Sequence, residues 1–174
     1  QVADELRSDV QHVYCNAGAC AALKSDGSIV CWGDPDHGGN PPSLVAEQLA
    51  SGGFVNVAAT REAFAAVKSD GSVVAWGNAA QGGDSSSVAE KLASDVQYVA
   101  ASSGAFAALK TDGSVIAWGD PDDGGSISDL AAQQLAAAGP VQHISASWSA
   151  FAALTADGQL ITWGDPGYGG DIPE

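Results

Sequence analysis

One run of residues, Ala105-Phe106-Ala107-Ala108-Leu109-Lys110-Thr111-Asp112-Gly113-Ser114-Val115-Ile116-Ala117-Trp118-Gly119, is written four times, recurring around Trp32, Trp76 and Trp163. A period of some tens of residues points to a solenoid, propeller or array, in which each block buries its faces only against its neighbours. The tryptophans are spaced by 44, 42 and 45 residues, and by 43 if Glu174 is imagined joined to Gln1. Across that joint Asp171-Ile172-Pro173-Glu174-Gln1 through Ser8 matches Asn40 through Ser51 position for position. The chain is therefore one repeat domain, 1–174, cyclically in register. Its units run approximately over 9–52, 53–94, 95–139 and 140–174, the last completed by 1–8. Two compatible causes fit the cut: a ring whose N-terminal segment completes the last unit, which would remove exposed sheet edges, and excision from a longer tandem precursor. The absence of methionine and the opening on Gln1 predict a processed or trimmed piece. A second copy could also complete the ring, giving eight units from two chains.

Within a unit, Asp95 to Ala101 alternates apolar and polar residues and runs into Ser102-Ser103-Gly104, which predicts a first strand and a turn. Ala105–Lys110 and Ser114–Trp118 flank Thr111-Asp112-Gly113, and Asp-Gly between apolar runs is a strong hairpin signal because glycine accepts positive φ. After the tryptophan the chain is rich in Pro, Gly and Asp, and then Ser128 to Leu135 reads as a short helix. Ser43 before Leu44-Val45-Ala46-Glu47-Gln48-Leu49 is expected to cap the first turn of such a helix, and Ser87, Val88 and Leu92 repeat the pattern. About two turns are marginal alone, so the helix must dock on the sheet. Gln1–Ser8 is expected to be the orphan helix of the fourth unit. The fold class is thus an all-β, propeller-like array of four units, each of three antiparallel strands plus a short helix.

The run Ala63 to Gly77, with its Asp70-Gly71 turn, Trp76-Gly77 strand end and following Gly82-Gly83 pair, resembles the repeat of the regulator of chromosome condensation family. It is most similar to the divergent tandem copies, often labelled HERC-like, that are abundant in dinoflagellate algal proteins. The resemblance covers nearly the whole chain and implies β-propeller blades serving as an interaction platform, in some members as guanine nucleotide exchange factors acting on a small GTPase and binding chromatin. The founding family has seven blades with a fourth strand, whereas this chain has four units and a helix where that strand would run.

Six basic against 21 acidic residues give a net charge of −15, which repels phosphate backbones and anionic membrane surfaces. Nucleic acid is not expected as a partner. No apolar run approaches the ~20 residues of a membrane helix, so no direct membrane insertion is expected and the chain reads as soluble; no leader segment is legible in it, and its compartment is not. At 45% hydrophobic it can bury a core.

Comparison of the four units with one another shows a near-constant framework and two variable loops. The turn after strand one reads Asn16-Ala17-Gly18, Thr60-Arg61-Glu62, Ser102-Ser103-Gly104 and Ser147-Trp148-Ser149; the loop after the tryptophan varies at His37, Gln81, Asp123 and Tyr168. Strand directions put both at one end of the blade, opposite the uniform turns at Asp26, Asp70, Asp112 and Asp157. The variable rim, with Asn16, Arg61, Glu62, Ser103, Trp148, His37, Gln81, Asp123 and Tyr168, is the candidate partner-binding face, since aromatics and Arg are enriched at hot spots. Drift in solvated loops is the competing reading; Trp148, in a Ser-Trp-Ser turn with no evident core position, favours binding.

Asp34, Asp36, Asp120 and Asp122, with Asp165, form a weak calcium pattern. Asn78-Ala79-Ala80 replaces it in the second unit, and turn initiation by Asp and Pro is the preferred reading. Trp32, Trp76, Trp118 and Trp163 are expected in the contacts between units, at a fixed offset from Phe64, Phe106 and Phe151. His12 and His143 share a position with Asn56 and Tyr98 and read as surface strand residues. Cys15, Cys20 and Cys31 stand where other units have Ala or Phe and read as small buried hydrophobes, with one bridge inside this blade left open. No zinc spacing, phosphate-cradling loop or nucleophile elbow is present in the sequence, and no cofactor is implied. The expected function is a non-catalytic protein-interaction or scaffold module, in the form of an acidic accessory subunit of a larger assembly. A small-ligand or carbohydrate-binding module is the alternative, and a GTPase exchange factor is implied by resemblance alone. Expected partners are proteins, including a homodimer mate or a tandem-array neighbour.

Overall fold

The computed structural model describes residues 2–172. The alternating and hairpin patterns fold into four separate three-stranded antiparallel sheets. The first holds β1 (Val10–Cys15), β2 (Ala19–Lys24) and β3 (Ile29–Gly33). The second holds β4 (Phe54–Ala59), β5 (Ala63–Lys68) and β6 (Val73–Gly77), and the third β7 (Val96–Ala101), β8 (Ala105–Lys110) and β9 (Val115–Gly119). The fourth holds β10 (Val141–Ala146), β11 (Ala150–Thr155) and β12 (Leu160–Gly164). In every sheet the strands lie in chain order with the Ala-rich strand central. Each Asp-Gly turn places its glycine at positive φ, 77° at Gly27 and 82° at Gly113, where a Cβ would be strained. In three of them the aspartate accepts from the serine two residues on, as Asp112 does from Ser114 N at 2.9 Å and Ser114 Oγ at 2.6 Å. A register shift opens each first strand, between Val10 and His12 and at the equivalent pairs.

Successive sheets stack face to face, and the core is divided among their three junctions. Ala19, Ala21 and Leu23 of the first sheet meet Val57, Phe64, Ala66 and Trp76 of the second. Ala63, Ala65 and Val67 meet Val99, Phe106, Ala108 and Trp118, and Ala105, Ala107 and Leu109 meet Ile144, Phe151, Ala153 and Trp163. Each junction holds one stacked pair, formed across neighbouring strands of its second sheet, Phe64 on Trp76, Phe106 on Trp118 and Phe151 on Trp163, with centroids 5.2–5.4 Å apart, and the small alanines of the first sheet leave room for it. Each indole N–H reaches back to the preceding unit's loop: Trp76 to Gly38 O at 3.1 Å, Trp118 to Gly82 O and Trp163 to Gly124 O at 3.0 Å. These buried pairs satisfy the polar atom that a buried tryptophan brings with it.

The stack does not close into a ring. Trp32 is therefore an exception to the expectation that all four tryptophans are core: among the described residues no sheet packs on its face, and it is half-buried. The short helices are α1 (Val2–Glu5), α2 (Ser43–Ala50) and α3 (Asp129–Ala137). α2 touches both β3 and β6, α3 touches β12, and α1 lies against β3. The orphan helix expected to complete the fourth unit is thus seated on the first sheet, in the place that α2 takes on the second and α3 on the fourth. The second unit has no α-helix; Ser86–Val88 forms a single 3-10 turn before Leu92 enters the core. Ser43 does not cap α2, whose N-cap is Pro42 without a side-chain bond, whereas Ser128 caps α3 by accepting from Ala131 N.

The cysteines also depart from expectation. Cys15 and Cys20 face each other across the β1–β2 hairpin and are disulfide-bonded, the bridge that the sequence left open, and Cys15 is exposed rather than a buried hydrophobe. Cys31 is a free, half-buried thiol whose pKa burial pushes up to about 12, far from the thiolate that reactivity requires.

Candidate functional site

Both variable loops do lie at one end of the stack, and hydrogen bonds hold them there. The first residue of each turn donates to the loop of its own unit: Asn16 Nδ2 to His37 O at 2.9 Å, Thr60 Oγ1 to Gln81 O at 3.0 Å, Ser102 Oγ to Asp123 O at 2.8 Å and Ser147 Oγ to Tyr168 O at 2.7 Å. The middle residue of each of the first three turns donates to the next unit, Ala17 N to Arg61 O at 3.1 Å, Arg61 N to Ser103 O and Ser103 N to Trp148 O at 2.7 Å. A backbone ladder thus runs along the rim, and the loops are parts of one surface fixed at both ends. Sequence comparison missed the hydroxyl and amide links, although a signal for them was present: Asn16, Thr60, Ser102 and Ser147 all carry a donor.

The nine predicted rim residues fall into two groups. Trp148 and Tyr168 project outward, 58% and 53% exposed, and Arg61 is exposed beside Trp148. Trp148, Arg61 and Ser103 line a shallow cavity of about 360 Å³ together with Thr60, Ser102 and Ser147. Tyr168 lines a neighbouring one of about 240 Å³ with Ala146, Ser147 and Phe151. The other side chains turn inward between turn and loop. Glu62 accepts from Asn78 Nδ2 at 2.7 Å and sits 3.7 Å from the Arg61 guanidinium. Gln81 Nε2 donates to Asp120 Oδ2 at 3.3 Å, His37 Nδ1 lies 3.3 Å from Asp34 Oδ2, and Asn16 and Asp123 are half-buried. The structure therefore places Trp148, Arg61 and Tyr168 where a partner could touch them, and gives the rest packing positions.

The calcium candidates serve the turns. Asp34 accepts from Asp36 N at 2.9 Å, Asp120 from Asp122 N at 3.0 Å and Asp165 from Gly167 N at 2.7 Å, each starting a 3-10 turn. Asn78 does the same for Ala80 N at 3.0 Å, so the position needs an acceptor and not a charge. Among the described residues no three His, Cys, Asp or Glu side chains converge on one point. His12 and His143 are exposed on their strands, and His143 contacts the Tyr98 hydroxyl at 3.3 Å.

Stacked three-stranded sheets, each ending in a Trp-Gly strand that in the second, third and fourth bonds back to the previous loop, define an array of β-propeller blades. Residues 141–169, in the fourth unit, match the family described as the regulator of chromosome condensation (RCC1) repeat. No curated protein matches the chain in sequence. Among solved structures it is similar to human WBSCR16, at 20% identity and a TM-score of 0.59 over 91% of this chain and 48% of that one. It is similar also to Prp20p of Saccharomyces cerevisiae, a protein with binding properties toward Gsp1p and histones, at 21% identity and a TM-score of 0.61, covering 91% and 45%. The same yeast protein bound to Kap60 gives 20% identity and a TM-score of 0.63, covering 91% and 44%. The chain thus spans less than half the length of these structures.

Proposed function

We propose that this chain is a non-catalytic protein-interaction module, an acidic accessory subunit of a larger assembly, that grips its partner with the rim carrying Arg61, Trp148 and Tyr168. The observation that carries this reading is two large aromatic side chains standing out from a backbone locked by the Ala17–Arg61–Ser103–Trp148 ladder. A rigid anchor loses little entropy on binding, and Trp, Tyr and Arg are the side chains that dominate interface energies. The hydroxyls of Thr60, Ser102 and Ser147 are already bonded to backbone carbonyls, which suits a structural rather than a catalytic use of them. A charge of −15 favours a partner with a basic surface. The likeness to Prp20p, studied for its binding to Gsp1p and histones and solved bound to Kap60, supports protein partners for this fold.

The test is native mass spectrometry of the particle that co-purifies with the chain, repeated with Trp148→Ala combined with Tyr168→Ala. Loss of the partner with an unchanged melting temperature is expected; retention of the partner by the folded double variant would remove the rim from the interface. A second reading, a carbohydrate or small-ligand site, draws on the cavity at Trp148, where an exposed indole lies among Thr60, Arg61, Ser102, Ser103 and Ser147. A glycan array separates it from the first. A GTPase exchange role rests on likeness alone, and failure to accelerate nucleotide release from a small GTPase would eliminate it.

A further inference from the structure

The three junctions inside the chain are built to one plan, and the two ends of the stack carry its two halves. The leading face of each sheet presents two alanines and a larger aliphatic residue to the next: Ala19, Ala21 and Leu23, then the sets ending in Val67 and Leu109. On the fourth sheet the same positions are Ala150, Ala152 and Leu154, and Leu154 is 42% exposed where Leu23, Val67 and Leu109 are buried. The trailing face presents a β-branched residue and a tryptophan. On the first sheet these are Val13 and Trp32, and Val13 is 53% exposed where Val57, Val99 and Ile144 are buried.

Polar groups divide in the same way. Each internal junction has an indole N–H on the preceding glycine carbonyl; at the ends stand Trp32 Nε1 and Gly169 O, with no partner for either among the described residues. Each has a rim bond from one turn to the next; at the ends stand Trp148 N and Ala17 O, again with no partner among the described residues. Each has a bond from the first strand to the Asp-Gly turn before it, Phe54 N to Gly27 O, Val96 N to Gly71 O and Val141 N to Gly113 O, at 3.0–3.1 Å. Val10 and Gly158 hold the corresponding places, and a Cβ built on Gly158 meets nothing within 4 Å, where one on Gly71 or Gly113 meets the next strand.

The helices follow the plan too. α2 fills the outer corner between β3 and β6, and at the free end a cavity of about 650 Å³ lies over β12, lined by Leu130, Leu160, Thr162, Pro166 and Ile172. α1 is fixed on the other free end, against β3.

We propose that a second copy of this chain docks head to tail on this one, so that Val13, Trp32 and α1 of each copy form a fourth junction with Ala152, Leu154 and Gly169 of the other. Two chains then close an eight-blade ring. One chain's own ends are apart in the open stack, so they do not satisfy each other, whereas a second copy brings every complementary group in register. A contact between unlike faces closes only if its rotation does, and propellers of about four to eight blades are usual. Once one junction forms, the second is intramolecular and strengthens the first. The fourth junction has its own filling. Cys20, bridged to Cys15, stands where the other units have the stacked phenylalanine.

Sedimentation equilibrium of the purified chain, with no other protein present, tests this. The expected particle has twice the 17.3 kDa of one chain. Val13→Asp and Leu154→Asp each change a side chain that the single chain leaves exposed, so each should melt as the parent does and run as a monomer. Mixing the two variants should restore two-chain particles containing one of each, because one junction then pairs an intact leading face with an intact trailing face. A monomeric parent overturns the proposal. So does a dimer indifferent to both substitutions, a mixture that stays monomeric, or an open polymer that grows with concentration. None of these outcomes depends on the rim partner, which Trp148→Ala with Tyr168→Ala probes separately.

Discussion

At the scale of single residues, one hydrogen bond is repeated wherever two units meet. Trp118→Phe keeps the stack on Phe106 but leaves the carbonyl of Gly82 buried and unpaired. The expected loss is about 1–3 kcal/mol, read as a lower midpoint in urea unfolding. The Asp-Gly turns give a second prediction. Hydrogen bonds from Ser28, Ser72 and Ser114 hold Asp26, Asp70 and Asp112 below the ordinary aspartate value of 3.8, and the Thr155 hydroxyl does so for Asp157. A carboxyl whose folded pKa is depressed contributes stability above its unfolded value and loses it as pH falls through the folded one. The melting temperature should therefore hold down to about pH 4 and fall below it, more steeply for the parent than for a variant with all four changed to Asn. The turns themselves were legible in sequence, because Asp-Gly chemistry is local. The Gln81, His37 and Glu62 side chains were not, because what turns them inward is the neighbouring loop.

At the scale of elements, strands and helices were unequally readable. The twelve strands sit where alternation and the turn residues put them, since a period of two and a glycine at positive φ are properties of a few adjacent residues. The helices depend on context. Ser43 and Ser128 look alike in sequence, yet Pro42 takes the cap of α2 and only Ser128 bonds Ala131 N. Ser128→Ala should cost about 1 kcal/mol, while Ser43→Ala should leave the melting temperature unchanged; equal losses would show that the two helices start alike. The second unit repeats the pattern at Ser87, Val88 and Leu92 yet folds as a 3-10 turn, with Leu92 rather than a helix face filling the corner.

At the scale of the whole molecule, charge and end faces govern association in opposite directions. Two chains of −15 repel, so docking of two copies should strengthen from low to moderate salt as screening grows. A basic partner on the rim should instead be released over the same range. Titrating salt while following sedimentation of the chain alone and with its partner distinguishes the two surfaces in one experiment.

The sequence by itself determined the repeat, the strands, the turns and the end of the stack at which the variable loops gather, because each follows from a short-range pattern written four times. Only the tertiary structure decided that the stack stays open, that Trp32 and α1 belong to a free end, and that three of the nine rim residues face outward. The physical reason is that these depend on the rotation from one sheet to the next and on which faces find a neighbour, and identical repeats encode the step between units but not what meets the first and the last of them.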